Sequence, residues 1–220
     1  MVKGDLGKIP PAKLFPSINP SSIRAVEFLE KGGHSTVFRV ELTCRDGSTV
    51  PAIMKAFSNE FTEELRSEIA AYKIFYRENV GDFVPRLYAY KEWTQREWRK
   101  NFPSIRLERE SGEEVRGGIT TFFLEYIADA EFVSPENVST MIAAKALVAL
   151  ESIHKLGILH GDIKIDNLLI VPSTGRVVWI DFSSSVTPVT RLQNWLDLEM
   201  QGVLKLVHYD CVSTYSIPDG

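Results

Sequence analysis

Residues 158–171, ILHGDIKIDNLLIV, set His160, Asp162, Lys164, Asp166 and Asn167 between two apolar runs. The flanks read as buried strand, and a buried strand carries ionised side chains only where they are paired or gathered at its end. The chain must therefore break sharply from core to polar loop and back again within about fourteen residues. A second break of the same kind follows at WIDFSSS, 179–185, where Asp181 closes another apolar run. Between the two breaks, NLLIVPSTGRVVWID reads as two strands around the turn at 172–175, so Asn167 and Asp181 stand at the ends of one hairpin.

The rest of the chain divides around this loop. Residues 1–23 hold Pro10, Pro11, Pro16 and Pro20 among small and polar residues and read as an extended, flexible arm. The segment 25–57 contains three β-branched or aromatic runs, broken at Lys31-Gly32-Gly33 and at Asp46-Gly47, which predicts three antiparallel strands. From Asn59 to Tyr76, Phe61, Leu65, Ile69 and Tyr72 recur at helical spacing and predict a helix with one buried face. FVPRLYAY and GITTFFLEYI read as two further strands. The mixed-charge segment between them, 91–118, with Trp93 and Trp98, reads as a solvated hairpin extension without chemistry. After Tyr126 the period changes: 139–157 has a Ser/Thr start, positions 143, 147, 150 and 154 on one face, the first three apolar, and Gly157 as a stop. A last helical stretch begins near Leu192. The fold class is α+β, a strand-rich first lobe (24–127) followed by a helical second lobe (128–220).

Composition narrows the function classes. With 44% hydrophobic and 25% charged residues in 220, the chain can bury a core, and a net charge of −4 gives no basic field for nucleic acid or an anionic membrane. No nucleic-acid or membrane partner is expected. Cys44 and Cys211 are the only cysteines and do not form a CxxC pair, so neither a disulfide framework nor a zinc site is indicated. The start has no apolar core of signal-peptide length, which leads to an expected intracellular, cytoplasmic location, with the nucleus left open.

Asp162, Asn167 and Asp181 offer oxygen ligands that converge on one point, a donor set suited to a hard cation such as Mg²⁺ that shares its shell with waters and phosphates. Lys164 can neutralise charge on a transferred group, and Asp162 can orient and deprotonate a hydroxyl. His160 reads as a packing residue of the loop.

HGDIKIDN resembles the catalytic loop of the protein kinase-like fold, H-x-D-x-K-x-x-N, and IDFSSS, fourteen residues after Asn167, resembles its D-F-G segment. Upstream, GGHSTV resembles the glycine-rich loop, Lys55 in AIMKAF the strand lysine and Glu68 in EELRSEIAAY the helix glutamate that pairs with it. The resemblance covers about residues 24–207. It implies a bilobal fold with a β-rich N-lobe carrying one main helix, and a shortened helical C-lobe. It further implies that Gly32, Gly33 and Val37 cover the ATP phosphates, that Lys55 holds them and Glu68 holds Lys55, and that the backbone of Glu125 and Ile127 takes adenine. Asn167 and Asp181 would bind Mg²⁺, with Asp162 as catalytic base beside Lys164.

The pattern departs from the family in several places. Glu30 and Ser35 replace glycines, Ile53 stands where alanine is usual two residues before the lysine, and Ser183 replaces the glycine of D-F-G. Gly161 stands where many regulated protein kinases have arginine, which leaves no partner for an activation-loop phosphate. Only 39 residues follow Asp181 (220 − 181), without an A-P-E segment, so the helix near WLDLEMQGVLKLV is expected beneath the loop, with Asp197 or Glu199 bonding it from below. The expected activity is transfer of the γ-phosphate of Mg-ATP to Ser or Thr of a protein. A small hydroxyl acceptor of the aminoglycoside or choline kind, or a pseudokinase binding module, are the alternatives.

Overall fold

The computed structural model describes residues 18–32, 35–44, 46–60, 62–108, 112–115, 117–134, 136–187 and 193–212. They fall into two compact units. The first takes the described residues up to Thr62 together with Leu87–Tyr126, and the second takes Glu63–Arg86 together with the described residues from Ile127 onward.

In the first unit, β1 (Ile18–Lys31), β2 (Ser35–Cys44), β3 (Thr49–Ser58), β4 (Leu87–Trp93) and β5 (Ile119–Glu125) form one sheet in the order β1-β2-β3-β5-β4, each neighbouring pair antiparallel. The three expected strands of 25–57 are β1 to β3, with the β2–β3 turn at Gly47, φ 83. β1 starts at Ile18, within the segment expected as an arm through residue 23. It is an edge strand whose pairing is irregular between Ile18 and Ile23, the setting in which a sheet tolerates the missing amide of Pro20.

One face of this sheet is buried under a segment that the charge pattern misrepresents. Residues 91–118 are not a solvated extension. Thr94 caps the short helix α2 (Gln95–Asn101) in a reciprocal capping box with Glu97, which fixes the helix against the end of β4. Trp93, Trp98, Phe102, Leu107 and Val115 pack there against Phe38, Val40, Leu42, Ala52, Met54 and Ala56 of β2 and β3. The rings of Trp93, Trp98 and Phe102 meet edge-on or tilted at 4.4–6.1 Å, and the Trp93 indole donates to Thr121 Oγ1 at 2.8 Å. Among the described residues, the charges that make the segment look exposed lie on its outer side, as with Arg99 paired to Glu114.

The second unit is built on α1 (Thr62–Arg77), α3 (Thr140–Lys155), α4 (Gln193–Val212) and the small sheet β6-β7-β8 (Glu131–Phe132, Leu168–Val171, Arg176–Trp179). A contiguous split at 127/128 placed α1 with the preceding strands; residues 63–86 group instead with the later helices. The cause is local packing. Tyr72 and Phe75 of α1 meet the Phe182 ring at 5.9 and 4.8 Å, Ser185 Oγ donates to the Ser67 carbonyl, and the Trp179 amide donates to the Phe83 carbonyl. Leu65, Ile69 and Tyr72 are buried as the spacing predicts, whereas Phe61 lies outside the described residues. α3 starts at the Ser139 cap and stops at Gly157, φ 75; its buried stripe runs through Ala143, Ala146, Leu150 and Ile153. Among the described residues no helix is long and apolar enough to cross a membrane.

Trp98→Ala should lower the stability of the chain by about 3–5 kcal/mol in denaturant titration, the range for emptying a buried indole site. A change within about 0.5 kcal/mol, as for exposed surface, would restore the solvated reading of 91–118.

Candidate active site

The loop between α3 and β7 leaves regular structure while still buried, so its amides need acceptors from elsewhere. Glu199 of α4 supplies them. One carboxylate oxygen accepts the His160 amide at 3.0 Å and the His154 ring at 2.8 Å, and the other accepts the Gly161 amide. Of the two acidic candidates on this helix, Glu199 reaches the loop through these bonds, and its side chain is 10% exposed. His154, expected only as a position on the helix stripe, is its second partner. A histidine six residues before His160, in the last turn of a helix whose other stripe positions are apolar, was the available signal.

His160 is fully buried. Its ring lies against Phe182 at 4.7 Å and Trp179 at 5.3 Å. Nε2 donates to the Ile180 carbonyl at 3.1 Å, and Nδ1 accepts the Asp162 amide in a long, 3.4 Å bond, a pattern that requires the neutral ring. Burial pushes its pKa below the ordinary 6.5. His160 therefore serves as a packing and hydrogen-bonding strut.

Past Gly161 the polar residues gather. Asn167 closes a single 3-10 turn, Ile165–Asn167, and its amide nitrogen donates to both the backbone carbonyl and Oδ2 of Asp162, at 2.9 and 2.8 Å. Lys164 Nζ lies 2.7 Å from the same Oδ2, and this bond holds the lysine pKa above its usual value. Asp162 is thus fixed by an amide and an ammonium while its side chain stays 37% exposed. The hairpin ends meet as expected: Leu168 pairs with Trp179, and the Ile180 amide donates to the Asn167 carbonyl at 3.0 Å, so Asp181 follows directly at the same end as Asn167. Asp181 has φ 63, a left-handed backbone uncommon for a residue with a Cβ.

These residues fit a hard divalent cation by donor chemistry. With its nitrogen committed to Asp162, Asn167 offers its amide oxygen, and Asp181 offers a carboxylate. Among the described residues no group of three or more His, Cys, Asp and Glu side chains forms a metal cage.

In the first unit, Val37, Lys55 and Phe122 stand opposite one another across β2, β3 and β5 and so share the sheet face turned away from Trp98. Ile53 and Leu124 continue that face. Lys55 is 6% exposed, its ammonium 5.1 Å from the centroid of the Phe57 ring. Glu125 ends β5 opposite Ala52. The Gly32 amide donates to the Ser35 carbonyl at 2.9 Å and closes the β1–β2 turn, while Gly33 and His34 lie outside the described residues. In the second unit, Glu68 is fully buried on α1, whereas Glu63 is exposed and Glu64 half-buried. Ile127 begins the second unit, and its carbonyl accepts the Ala130 amide at 3.4 Å.

No family model matches the chain. It is 38% identical over 69 residues to the serine/threonine-protein kinase CBK1 of Yarrowia lipolytica, 31% of this chain and 11% of that protein. It is 36% identical over 69 residues to the serine/threonine-protein kinase LATS1 of Mus musculus, 28% of this chain and 6% of that protein. A longer match, 28% identity over 181 residues, is to the serine/threonine-protein kinase UCNL of Arabidopsis thaliana, 80% of this chain and 41% of that protein. The likeness is to protein kinases. The chain spans from under a tenth to about two fifths of these relatives, and the α+β architecture of five-stranded sheet and four helices is compatible with a kinase-like fold.

Two outcomes follow from this loop. Above pH 6.5 both folded and unfolded chains carry a neutral His160; below it the unfolded chain takes a proton that the buried ring refuses. Stability should therefore fall on acidification from pH 6.5 towards the lowered native value, at up to about 1.4 kcal/mol per pH unit, and His160→Gln should remove that slope in denaturant titrations run from pH 5 to 7. Gly161 has φ 83, and a Cβ there would run into the Ser184 carbonyl. Gly161→Ala should cost at least about 1–2 kcal/mol, read as a lowered denaturation midpoint; an unchanged midpoint would mean that the loop approaches Ser184 less closely.

Proposed function

We propose that the chain is a Mg-ATP-dependent phosphotransferase of the protein kinase-like kind, acting on Ser or Thr hydroxyls of a protein. The observation that carries this reading is the fixed trio Asp162, Lys164 and Asn167 at one end of the β7–β8 hairpin, with Asp181 at that same end. A carboxylate held by an amide and an ammonium, yet still open to solvent, is suited to orient an incoming hydroxyl and take its proton. Lys164 beside it offsets charge on the transferred phosphoryl group. Asn167 and Asp181 would hold the Mg²⁺, which supplies charge neutralisation on the phosphates when bound.

Lys55, Gly32, Gly33, Val37, Glu68, Glu125 and Ile127 keep the nucleotide roles that the resemblance gives them. Support for Lys55 is its burial on a sheet face shared with Val37 and Phe122, since an ammonium is seldom retained there without a charged partner or ligand. Gly32 adds a weaker point: its backbone has no positive φ, and a Cβ would make only ordinary contact with Ser35, so the fold itself does not demand glycine there.

A protein acceptor is favoured over a small alcohol by Lys164, the residue typical of Ser/Thr kinases, and by the names of the relatives. A pseudokinase role would call for a missing group, and Lys55, Asp162, Asn167 and Asp181 are all present.

Labelled ATP with Mg²⁺, offered to a mixed protein extract and to a panel of amino alcohols and aminoglycosides, tests the acceptor: label in protein bands is expected, and label confined to small molecules would overturn it. In the same assay Asp162→Asn should reduce turnover about 10²- to 10⁴-fold with little change in ATP affinity by titration. Loss of ATP affinity together with turnover would make Asp162 a metal or structural residue.

A further inference from the structure

The turn after β8 reads Asp181-Phe182-Ser183, with serine where the resemblance has glycine. Two bonds run from Ser183 to the same oxygen of Asp181: the hydroxyl donates to Oδ1 at 2.7 Å, and the amide donates to it at 3.3 Å. Glycine could make only the second, longer one. Ser183 is not among the described residues with positive φ, so this position places no conformational demand for glycine, and serine sits there without backbone strain. Its neighbours are held as well. Phe182 is fully buried against Tyr72, Phe75 and His160, the Ser185 amide donates to the Phe182 carbonyl at 3.1 Å, and Ser185 Oγ bonds the Ser67 carbonyl. The hydroxyl of Ser183 therefore projects from an anchored backbone and acts on a carboxylate whose own backbone is fixed at φ 63.

We propose that Ser183 is a positioning residue for the divalent cation: its hydroxyl fixes the orientation of the Asp181 carboxylate before the ion arrives. An aspartate carboxylate must be ordered when it coordinates a metal, and a short bond to one of its oxygens contributes to that ordering in advance. The hydroxyl is suited to this because it donates to the ionised carboxylate, and bonds of that kind are short and strong. The departure from glycine thus trades freedom of the turn for a prearranged ligand. The inference rests on the assignment of Asp181 to Mg²⁺ above, and it adds to it a second residue that acts through the Asp181 carboxylate.

The test is the Mg²⁺ concentration that half-saturates ATP binding, read by thermal shift at fixed ATP for the full chain and for Ser183→Ala, Ser183→Gly and Ser183→Thr. Ala and Gly should each raise that concentration about 2- to 10-fold, the range for immobilising one side chain. Thr, which keeps the hydroxyl, should restore it, and the ligand-free melting temperature of the Ala variant should stay near that of the parent. A turn-forming role alone would give the opposite pattern, a lowered ligand-free melting temperature with the Mg²⁺ requirement unchanged, and would overturn the proposal. So would a Gly variant that needs less Mg²⁺ than the parent. If the parent chain shows no Mg²⁺-dependent ATP shift at all, the assignment of Asp181 fails and the proposal falls with it; a Mg²⁺-dependent shift in the parent that all three variants share removes Ser183 and leaves that assignment standing.

Discussion

A carboxylate on one helix carries the backbone of a loop two elements away. Leu159 and His160 are buried and Asp162 half-buried outside any regular strand, and a buried N–H group left unpaired costs about 1–3 kcal/mol. Glu199 takes two of them and the His154 ring, and Leu159 forms a reciprocal bridge with Val186, both bonds at 3.0 Å. With the backbone held on both sides, Asp162 and Lys164 follow as polar, partly exposed side chains and Asn167 as a buried one. The polar cluster thus stands on a backbone whose amides are answered from α4. Removing that acceptor would leave two amides and an imidazole without their partner at once.

The Phe182 and His160 rings extend the same logic inward. His160 donates to the Ile180 carbonyl and lies on Phe182, which in turn meets Tyr72 and Phe75 of α1. The loop, the turn after β8 and the helix α1 therefore share one aromatic cluster within the second unit, and a displacement of any one disturbs the packing of the others. The first unit has its own independent organisation. Its sheet divides labour between faces: Phe38, Val40, Ala52 and Met54 go under the Trp93–Trp98–Phe102 cluster, while Val37, Ile53, Lys55 and Phe122 occupy the other side. Alternation along β2 and β3 enforces this, because a slip of one residue would exchange Lys55 with Met54 or Ala56.

Legibility followed the range of the interactions. The loop HGDIKIDN could be read because its chemistry is local: the bonds among Asp162, Lys164 and Asn167 span no more than five residues, so spacing encodes them directly. The hairpin end that brings Asn167 and Asp181 together was legible for the same reason, through the turn at 172–175. Segment 91–118 misled because its interspersed charges mask aromatic residues that are buried against β2 and β3, strands some forty to sixty residues earlier. Thr94 and Glu97, spaced as a capping box, were the local sign of an ordered helix there. Sequence leaves Asp197 and Glu199 both open, since two positions on one helix differ by about 200°, and it is the docking of α4 on α3 that brings Glu199 to the loop amides. The grouping of α1 with the later helices is likewise set by Phe182, more than a hundred residues downstream.

Gly161 shows how such a long-range constraint rewrites a local motif. The position is glycine because φ is 83 and the Ser184 carbonyl occupies the space where a side chain would begin. An arginine there, the residue that answers an activation-loop phosphate in many regulated kinases, would have to displace the backbone of the turn that follows Asp181. That turn is pinned by Ser185 on Ser67 and by the Leu159–Val186 bridge, so it has little room to yield. The absence of the arginine is therefore a property of the packed loop and not of one codon. A chain built this way sets the geometry of Asp162 by bonds to Lys164 and Asn167, on a backbone that Glu199 holds at the two preceding residues.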